Sequence, residues 1–140
     1  TPKGLNTSYI RKLSTALNNQ DLTAFFDTLR IFFANIPNNI TIKEEKYYQS
    51  LFYAIITLLG YQLEAEVNTN IGRIDCVLQT DDTIYIIEFK LNDSCDAALQ
   101  QIKDKQYAQK YQNSEKKIVL LGVEFDQDGR NIGEFVREDG

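Results

Sequence analysis

The runs RIDCVLQT (Arg73 to Thr80) and TIYIIEFK (Thr83 to Lys90) are each of strand length, rich in β-branched and aromatic residues, and separated only by Asp81 and Asp82. A two-residue connection between two such runs predicts a tight antiparallel hairpin. With Asp81 and Asp82 as the loop, the register follows: Asp75 stands across from Glu88, and Arg73 across from Lys90. Directly opposed side chains lie about 5 Å apart at Cβ, and residues two apart on one strand point the same way about 7 Å along. Asp75, Glu88 and Lys90 are therefore expected to share one face at one end of the hairpin. Tyr85, Ile87 and Phe89 face the other way, and Phe89 buries itself between the two charges and fixes their orientation. A strand this apolar belongs in a core, so charges gathered at its end call for a physical reason.

Two carboxylates about 5 Å apart repel by about 3 kcal/mol at an effective dielectric of 20. Lys90 offsets part of that. A divalent cation offsets it better, because hard ions such as Mg²⁺ take carboxylate oxygens at about 2.0–2.1 Å and two opposed carboxylates span such an ion. The simpler alternative is three ordinary strand-end charges near solvent, with Glu88 and Lys90 in an ion pair of little energetic weight.

Other segments converge on the same place. Upstream of the hairpin the chain reads as helical. Ile10, Leu13 and Leu17 fit a short first helix. Leu22, Phe25, Phe26, Leu29, Phe32, Phe33 and Ile36 recur at three- and four-residue steps in a second helix, opened by Asp21. NIPNNIT breaks the pattern at Pro37, and a third helix is expected from about Lys43 to Leu59, ending at Gly60. At 100° per residue Glu45 falls on the buried stripe of that helix with Tyr48, Gln49, Phe52, Ile56 and Leu59, whereas Glu44 points to solvent. Glu45 is thus either a site carboxylate or a partner of the helix dipole. After the hairpin a helix is expected from Ser94 to about Tyr111, with Ser94 or Asp93 as its N-cap. Gln101 shares a face of it with Ala97, Ala98, Lys105 and Ala108. Those small residues let a helix approach a sheet closely, so Gln101 either reaches the site or is an exposed amide. YQLEAEVNT precedes the hairpin as a strand, KKIVLLGVEF follows as a fully buried one, and NIGEFVRE reads as a short edge strand. This order predicts an α/β fold, a mixed sheet with helices packed on its faces.

Composition limits the choices further. The 140 residues, 43% of them hydrophobic, suffice for one unit with a substantial core. A net charge of −5 argues against tight, nonspecific coating of nucleic acid, but local basic groups or bound cations can offset bulk charge in an enzyme. Arg73, Lys103, Lys105 and Lys110 are candidate guides for a phosphate backbone, or else a solvated surface. The two cysteines, Cys76 and Cys95, suit reduced thiols in a cytoplasmic protein better than a disulfide framework. The apolar stretch LFYAIITLLGY is far short of a membrane span, so no membrane partner is expected. The chain opens at Thr1 and contains no Met, as expected of a segment of a longer polypeptide. It has no His, so a His general base is excluded. No glycine-rich phosphate loop, thiolate cluster or nucleophile elbow supports another enzyme class.

RID on one strand and IIEFK on the next, with Glu45 on the helix before and Gln101 on the helix after, resemble the PD-(D/E)XK nuclease superfamily. EEKYYQSLFYAIITLLGY, NIGRIDCVLQTDDTIYIIEFKL and ALQQIKDKQYAQKY are similar, more narrowly, to the nuclease-like domain at the C-terminal end of bacterial predicted AAA-type ATPases. The resemblance runs from about Thr41 to Arg137. It implies a restriction-endonuclease-like core of αβββαβ order in residues 41–140. Residues 1–40 then form an N-terminal helical extension that links to an upstream ATPase domain. By resemblance Asp75 is the motif's Asp, Glu88 its second acid, Lys90 its Lys, Glu45 the first-helix acid and Gln101 the later polar residue. Ile74 replaces the motif's proline, which removes no chemical group. The resemblance implies that Asp75, Glu88, the Phe89 backbone carbonyl and Glu45 hold one or two Mg²⁺ or Mn²⁺ ions. Lys90 would orient or deprotonate the attacking water, or stabilise the charge of the pentavalent phosphate. The implied activity is metal-dependent phosphodiester hydrolysis of nucleic acid, DNA first. The alternative is a noncatalytic module that keeps the fold to dock nucleic acid or protein.

Overall fold

The computed structural model describes residues 7–35, 45–91, 93–125 and 131–140, and for residues 7 and 45–48 the backbone alone. The elements in chain order are α1 (Thr7–Asn18), α2 (Leu22–Ala34), α3 (Glu45–Leu58), β1 (Gln62–Asn68), β2 (Arg73–Gln79), β3 (Thr83–Leu91), α4 (Cys95–Asp104), a 3₁₀ helix (Tyr107–Tyr111), β4 (Lys117–Phe125) and β5 (Ile132–Asp139). The strands form one sheet in the order β1-β2-β3-β4-β5. β3 and β4 run parallel and are joined by the α4 crossover; the other neighbours are antiparallel. The result is a mixed α/β sheet covered by helices on both faces, the architecture of a restriction-endonuclease-like fold.

The hairpin has the expected register from Gln79↔Ile84 to Cys76↔Ile87, and the backbone pairing ends before the expected Asp75–Glu88 and Arg73–Lys90 positions. Cys76 pairs with Ile87 and Val77 with Ile86, and the Thr80 N–H donates to the Thr83 carbonyl at 2.9 Å across the Asp81–Asp82 connection. The Asp82 carboxylate accepts from the hydroxyls of Thr80 and Thr83, which closes the loop without a glycine.

The two faces of β3 feed two cores. Tyr85, Ile87 and Phe89 pack with Cys76 and Leu78 against Phe52 and Ile56 of α3 and against Leu13, Leu17, Phe25, Phe26, Leu29 and Phe33 of α1 and α2. Ile84 and Ile86 pack with Val77 against Ile102 of α4 and against Tyr107. Asp21 caps α2, accepting from the Ala24 N–H at 3.1 Å. Although α1 and α2 fall in the segment expected to be a linker, they share the core of the sheet: the Phe26 and Phe135 rings lie 4.5 Å apart, and the Arg30 guanidinium donates to the Ile132 and Gly133 carbonyls of β5. α3 ends at Leu58, followed by Gly60 at φ +86. The expected positions of Ile36, Pro37, Lys43 and Glu44, and the side chains of Glu45 and Tyr48, lie outside the described residues.

The structure corrects one expectation. The helix after the hairpin does not run to Tyr111: α4 stops at Asp104, and Gln106 takes a left-handed φ of +53 before the 3₁₀ helix begins. The break turns Tyr107 inward, where only 2% of it is exposed and its hydroxyl donates to the Arg73 carbonyl at 3.0 Å. Burying an aromatic ring with its polar tip satisfied outweighs one strained residue. β5 is an edge strand, as expected, and its eight residues match the length of the run NIGEFVRE.

Candidate functional site

Asp75 sits where β2 leaves the regular ladder on both sides. Toward β1, pairing skips from Ala65↔Cys76 to Val67↔Ile74, and the skipped Glu66 holds a left-handed φ of +54. Ile74 and Cys76 are two residues apart yet buried in different cores, so the strand rotates between them. Toward β3, backbone pairing ends at Cys76↔Ile87. Beyond that point side chains take over: the Asp75 N–H donates to Glu88 Oε1 at 3.0 Å, and the Phe89 N–H donates to Asp75 Oδ2 at 2.9 Å. In an extended strand the N–H and C=O of one residue point to the same side. The Phe89 carbonyl therefore also points toward Asp75, past the end of the ladder.

Glu88 is only 2% exposed. Burial, first, and then the hydrogen bond and negative charge of Asp75 push its carboxyl up to about 9; a backbone hydrogen bond and the Lys90 charge act in the opposite direction. On the other side, Gln101 bridges. Its Nε2 donates to Glu88 Oε2 at 3.3 Å, and its Oε1 accepts from Lys90 Nζ at 2.7 Å. Lys90 thus makes no ion pair with Glu88 among the described residues; the Gln101 amide lies between them. The Gln101 amide reaches the sheet because Gly122, the β4 neighbour of Glu88, has no side chain. A Cβ there would run into the Cys95 carbonyl and lie 2.8 Å from the Leu99 N–H. Glu124, the β4 neighbour of Lys90, holds the start of α4 by accepting from the Cys95 N–H at 2.8 Å.

The opposite face contributes through the backbone. The Tyr53 hydroxyl donates to the Asp75 carbonyl at 3.0 Å and to Gln49 Oε1 at 3.4 Å. Burial, first, and then the charges of Cys76, Asp75, Glu66 and Glu88 push the Tyr53 phenol well up, which keeps it a donor. Glu45 precedes Gln49 by one helical turn on α3, so its position leads into the same line of residues.

Asp75, Glu88, Lys90 and Gln101 are therefore joined by hydrogen bonds at one end of the sheet, with the Phe89 carbonyl beside them, and the Glu45 side chain lies outside the described residues. Sequence reasoning did not single out Tyr53, Gly122 or Glu124, and it gave Tyr107 no role. Tyr53 is the one of these with a sequence signal, two helical turns beyond Glu45 on α3. Among the described residues no three His, Cys, Asp or Glu side chains gather as a metal cluster. Two carboxylates and a main-chain carbonyl are all hard oxygen donors, and they fit a divalent ion of the Mg²⁺ type rather than a thiophilic one. No helix of the described residues is long and apolar enough to cross a membrane. Cys76 and Cys95 are free and buried.

No solved structure matches the chain. An uncharacterized protein in the vnfD 5′ region of Azotobacter chroococcum mcd 1 is 43% identical over 114 residues, covering 76% of this chain and 22% of that protein. The chain thus spans about a fifth of that relative's length. A profile of the PD-(D/E)XK nuclease superfamily matches residues 43–135, two thirds of the chain and all of the sheet up to the middle of β5. With the described parts of its motif clustered on a restriction-endonuclease-like sheet, this chain belongs to the PD-(D/E)XK nuclease superfamily.

Proposed function

We propose that the chain is a metal-dependent nuclease domain that hydrolyses phosphodiester bonds of nucleic acid, with DNA as the substrate. The observation that carries this reading is the pair of bonds that joins β2 to β3 here, from the Asp75 N–H to Glu88 and from the Phe89 N–H to Asp75, with Lys90 held beside them through Gln101. Asp75, Glu88 and the Phe89 carbonyl, with Glu45, are the proposed ligands of Mg²⁺ or Mn²⁺. When bound, such a cation supplies Lewis-acid polarisation of the phosphodiester and a water nucleophile of lowered pKa. The chain's own groups do the rest. The Gln101 amide fixes the Lys90 ammonium, which then faces the developing phosphate charge without reorganising. Asp75 and Glu88 are each pinned by a main-chain N–H, which fixes the two carboxylates side by side. The same Lys90 ammonium would orient the attacking water by donating a hydrogen bond to it. The larger relative is in keeping with a domain that works within a longer protein, and an ATPase region of the same polypeptide is the proposed partner, in a cytoplasmic setting.

The test is incubation of the domain and of Lys90→Ala with single- and double-stranded DNA in Mg²⁺ or Mn²⁺. The parent should cut and the variant should not. Cleavage that survives the substitution would point to a contaminant and remove the assigned mechanism, and binding without cleavage would favour the docking module.

A further inference from the structure

A concave feature lies near the head of β2, the strand that carries Asp75. Between the β1–β2 turn and the 3₁₀ helix lies a cleft of about 490 Å³, within the size range of small-molecule sites. The turn contributes Asn68, Thr69 and Asn70; Gln106, Gln109 and Lys110 come from the other wall, with buried Tyr107 between. The walls are built to hold their shape. Thr69 Oγ1 accepts from the Ile71 and Gly72 N–H groups at 3.2 and 3.1 Å and donates to the Gly72 carbonyl. Lys110 Nζ reaches across to the Asn68 carbonyl at 3.2 Å. The Tyr107 hydroxyl, 3.1 Å from where a Cβ on Gly72 would sit, ties the far wall to Arg73 at the head of β2.

The chemistry of the lining is specific. The side-chain amides of Asn68, Asn70, Gln106 and Gln109 have no hydrogen-bond partner among the described residues, and each offers a donor and an acceptor, the pattern that matches a base edge. Lys110 is the one cation in the lining among the described residues. Arg73 pairs across the strands with Asn68, and its guanidinium is exposed and has no partner among the described residues. Asp75 follows Arg73 by two residues in β2. Base edges inside a duplex are stacked and already paired, whereas an unpaired nucleotide presents its whole edge to such a cleft.

We propose that this cleft is a subsite for one unpaired nucleotide of a single-stranded DNA substrate, adjoining the phosphodiester held at Asp75, Glu88 and Lys90. The amides hold the base and Lys110 with Arg73 holds the flanking phosphate. This inference rests on the nuclease reading above and names the form of its substrate.

The experiment is fluorescence anisotropy in Mg²⁺ with a labelled single-stranded 12-mer and with a hairpin-closed duplex that has no unpaired ends, in the Lys90→Ala background to prevent cutting. The single strand should bind more tightly than the duplex. The double variant Asn70→Ala, Gln109→Ala, at two exposed positions, should lose about tenfold in single-strand affinity while duplex affinity holds. Lys110→Gln should lower the salt dependence of single-strand binding by about 0.7 in slope. If the double variant binds the single strand as its parent does, or loses both ligands equally, the subsite is wrong and the nuclease reading stands. If the Lys90→Ala parent binds neither DNA while the unmodified chain also fails to cut, both are overturned.

Discussion

Glu88 Oε1 accepts from the Asp75 N–H at 3.0 Å while Asp75 Oδ2 accepts from the Phe89 N–H at 2.9 Å, so the two acids replace the backbone ladder between their own strands. This keeps β2 and β3 from pairing through their backbones beyond Cys76 and Ile87. It also places two acidic groups side by side in a setting that penalises their joint ionisation. Fold and chemistry meet at that pair: the hairpin brings the carboxylates together, and their mutual proximity makes a cation welcome.

Stability without metal should therefore fall as pH rises. Glu88 is raised from an ordinary 4.5 to about 9 by burial and by Asp75, so between those values the folded chain keeps a proton that the unfolded chain releases. Its contribution is fully present below about 4.5 and is lost as pH climbs toward 9, at no more than about 1.4 kcal/mol per pH unit. Denaturant unfolding at pH 6, 7.5 and 9 in EDTA should show this decline in the parent and a flatter profile in Glu88→Gln. Equal slopes in the two proteins would remove Glu88 as the source.

Gly122→Ala should disable the site from a position that touches no substrate. The added Cβ would meet the Cys95 carbonyl and the Leu99 N–H, and backbone atoms do not move aside as side-chain ends do. α4 must then lift from the sheet, carrying Gln101 away from Lys90 and Glu88. The expected cost is about 1–3 kcal/mol in stability, with loss of cleavage at temperatures where the variant is still folded. Full activity in a folded variant would show that Gln101 need not lie close to the sheet.

The hairpin was legible in the sequence because a two-residue connection leaves one register, and Asp75, Glu88 and Lys90 followed from the alternation of side chains. The asymmetry of Phe89, buried between two charged neighbours, was legible for the same reason. Gly122 was not: inside KKIVLLGVEF it looks like a flaw in a buried strand, and its purpose exists only once α4 lies across it. The end of α4 was hidden as well, because the left-handed residue there is Gln106 rather than a glycine, imposed by the burial of Tyr107. Glu66 is the same kind of case, a left-handed residue beside Asp75 that no local signal announces. Local propensity is overruled where tertiary contacts converge, and that is also where the candidate site lies.

Tyr107→Phe tests how firmly the 3₁₀ helix is tied to β2. The substitution keeps the buried ring and removes only the hydroxyl bond to the Arg73 carbonyl. The expected loss is about 1 kcal/mol, measured by denaturant midpoint at unchanged slope. Amide exchange should quicken in residues 107–111 and in the β1–β2 turn but not in α2, and uniform quickening would mean that the bond is not local in its effect.

Gln101 separates two ways in which Lys90 can be held. The amide donates to Glu88 Oε2 and accepts from Lys90 Nζ, so one side chain spaces a carboxylate from an ammonium that would otherwise pair directly. Gln101→Ala removes both bonds and lets Lys90 fall toward Glu88, where it would neutralise the acid and compete with a cation. Gln101→Glu keeps an acceptor for Lys90 but replaces the donor to Glu88 with a third carboxylate. Cleavage should drop about 10- to 100-fold in each, as expected for loss of bonds to charged groups. The thermal shift caused by Mn²⁺ should shrink in Gln101→Ala and grow in Gln101→Glu, since one variant offers the ion a Lys-paired acid and the other an additional negative ligand. Identical shifts in both variants would show that Gln101 acts on neither the acid nor the ammonium, and that the Lys90 position is set elsewhere.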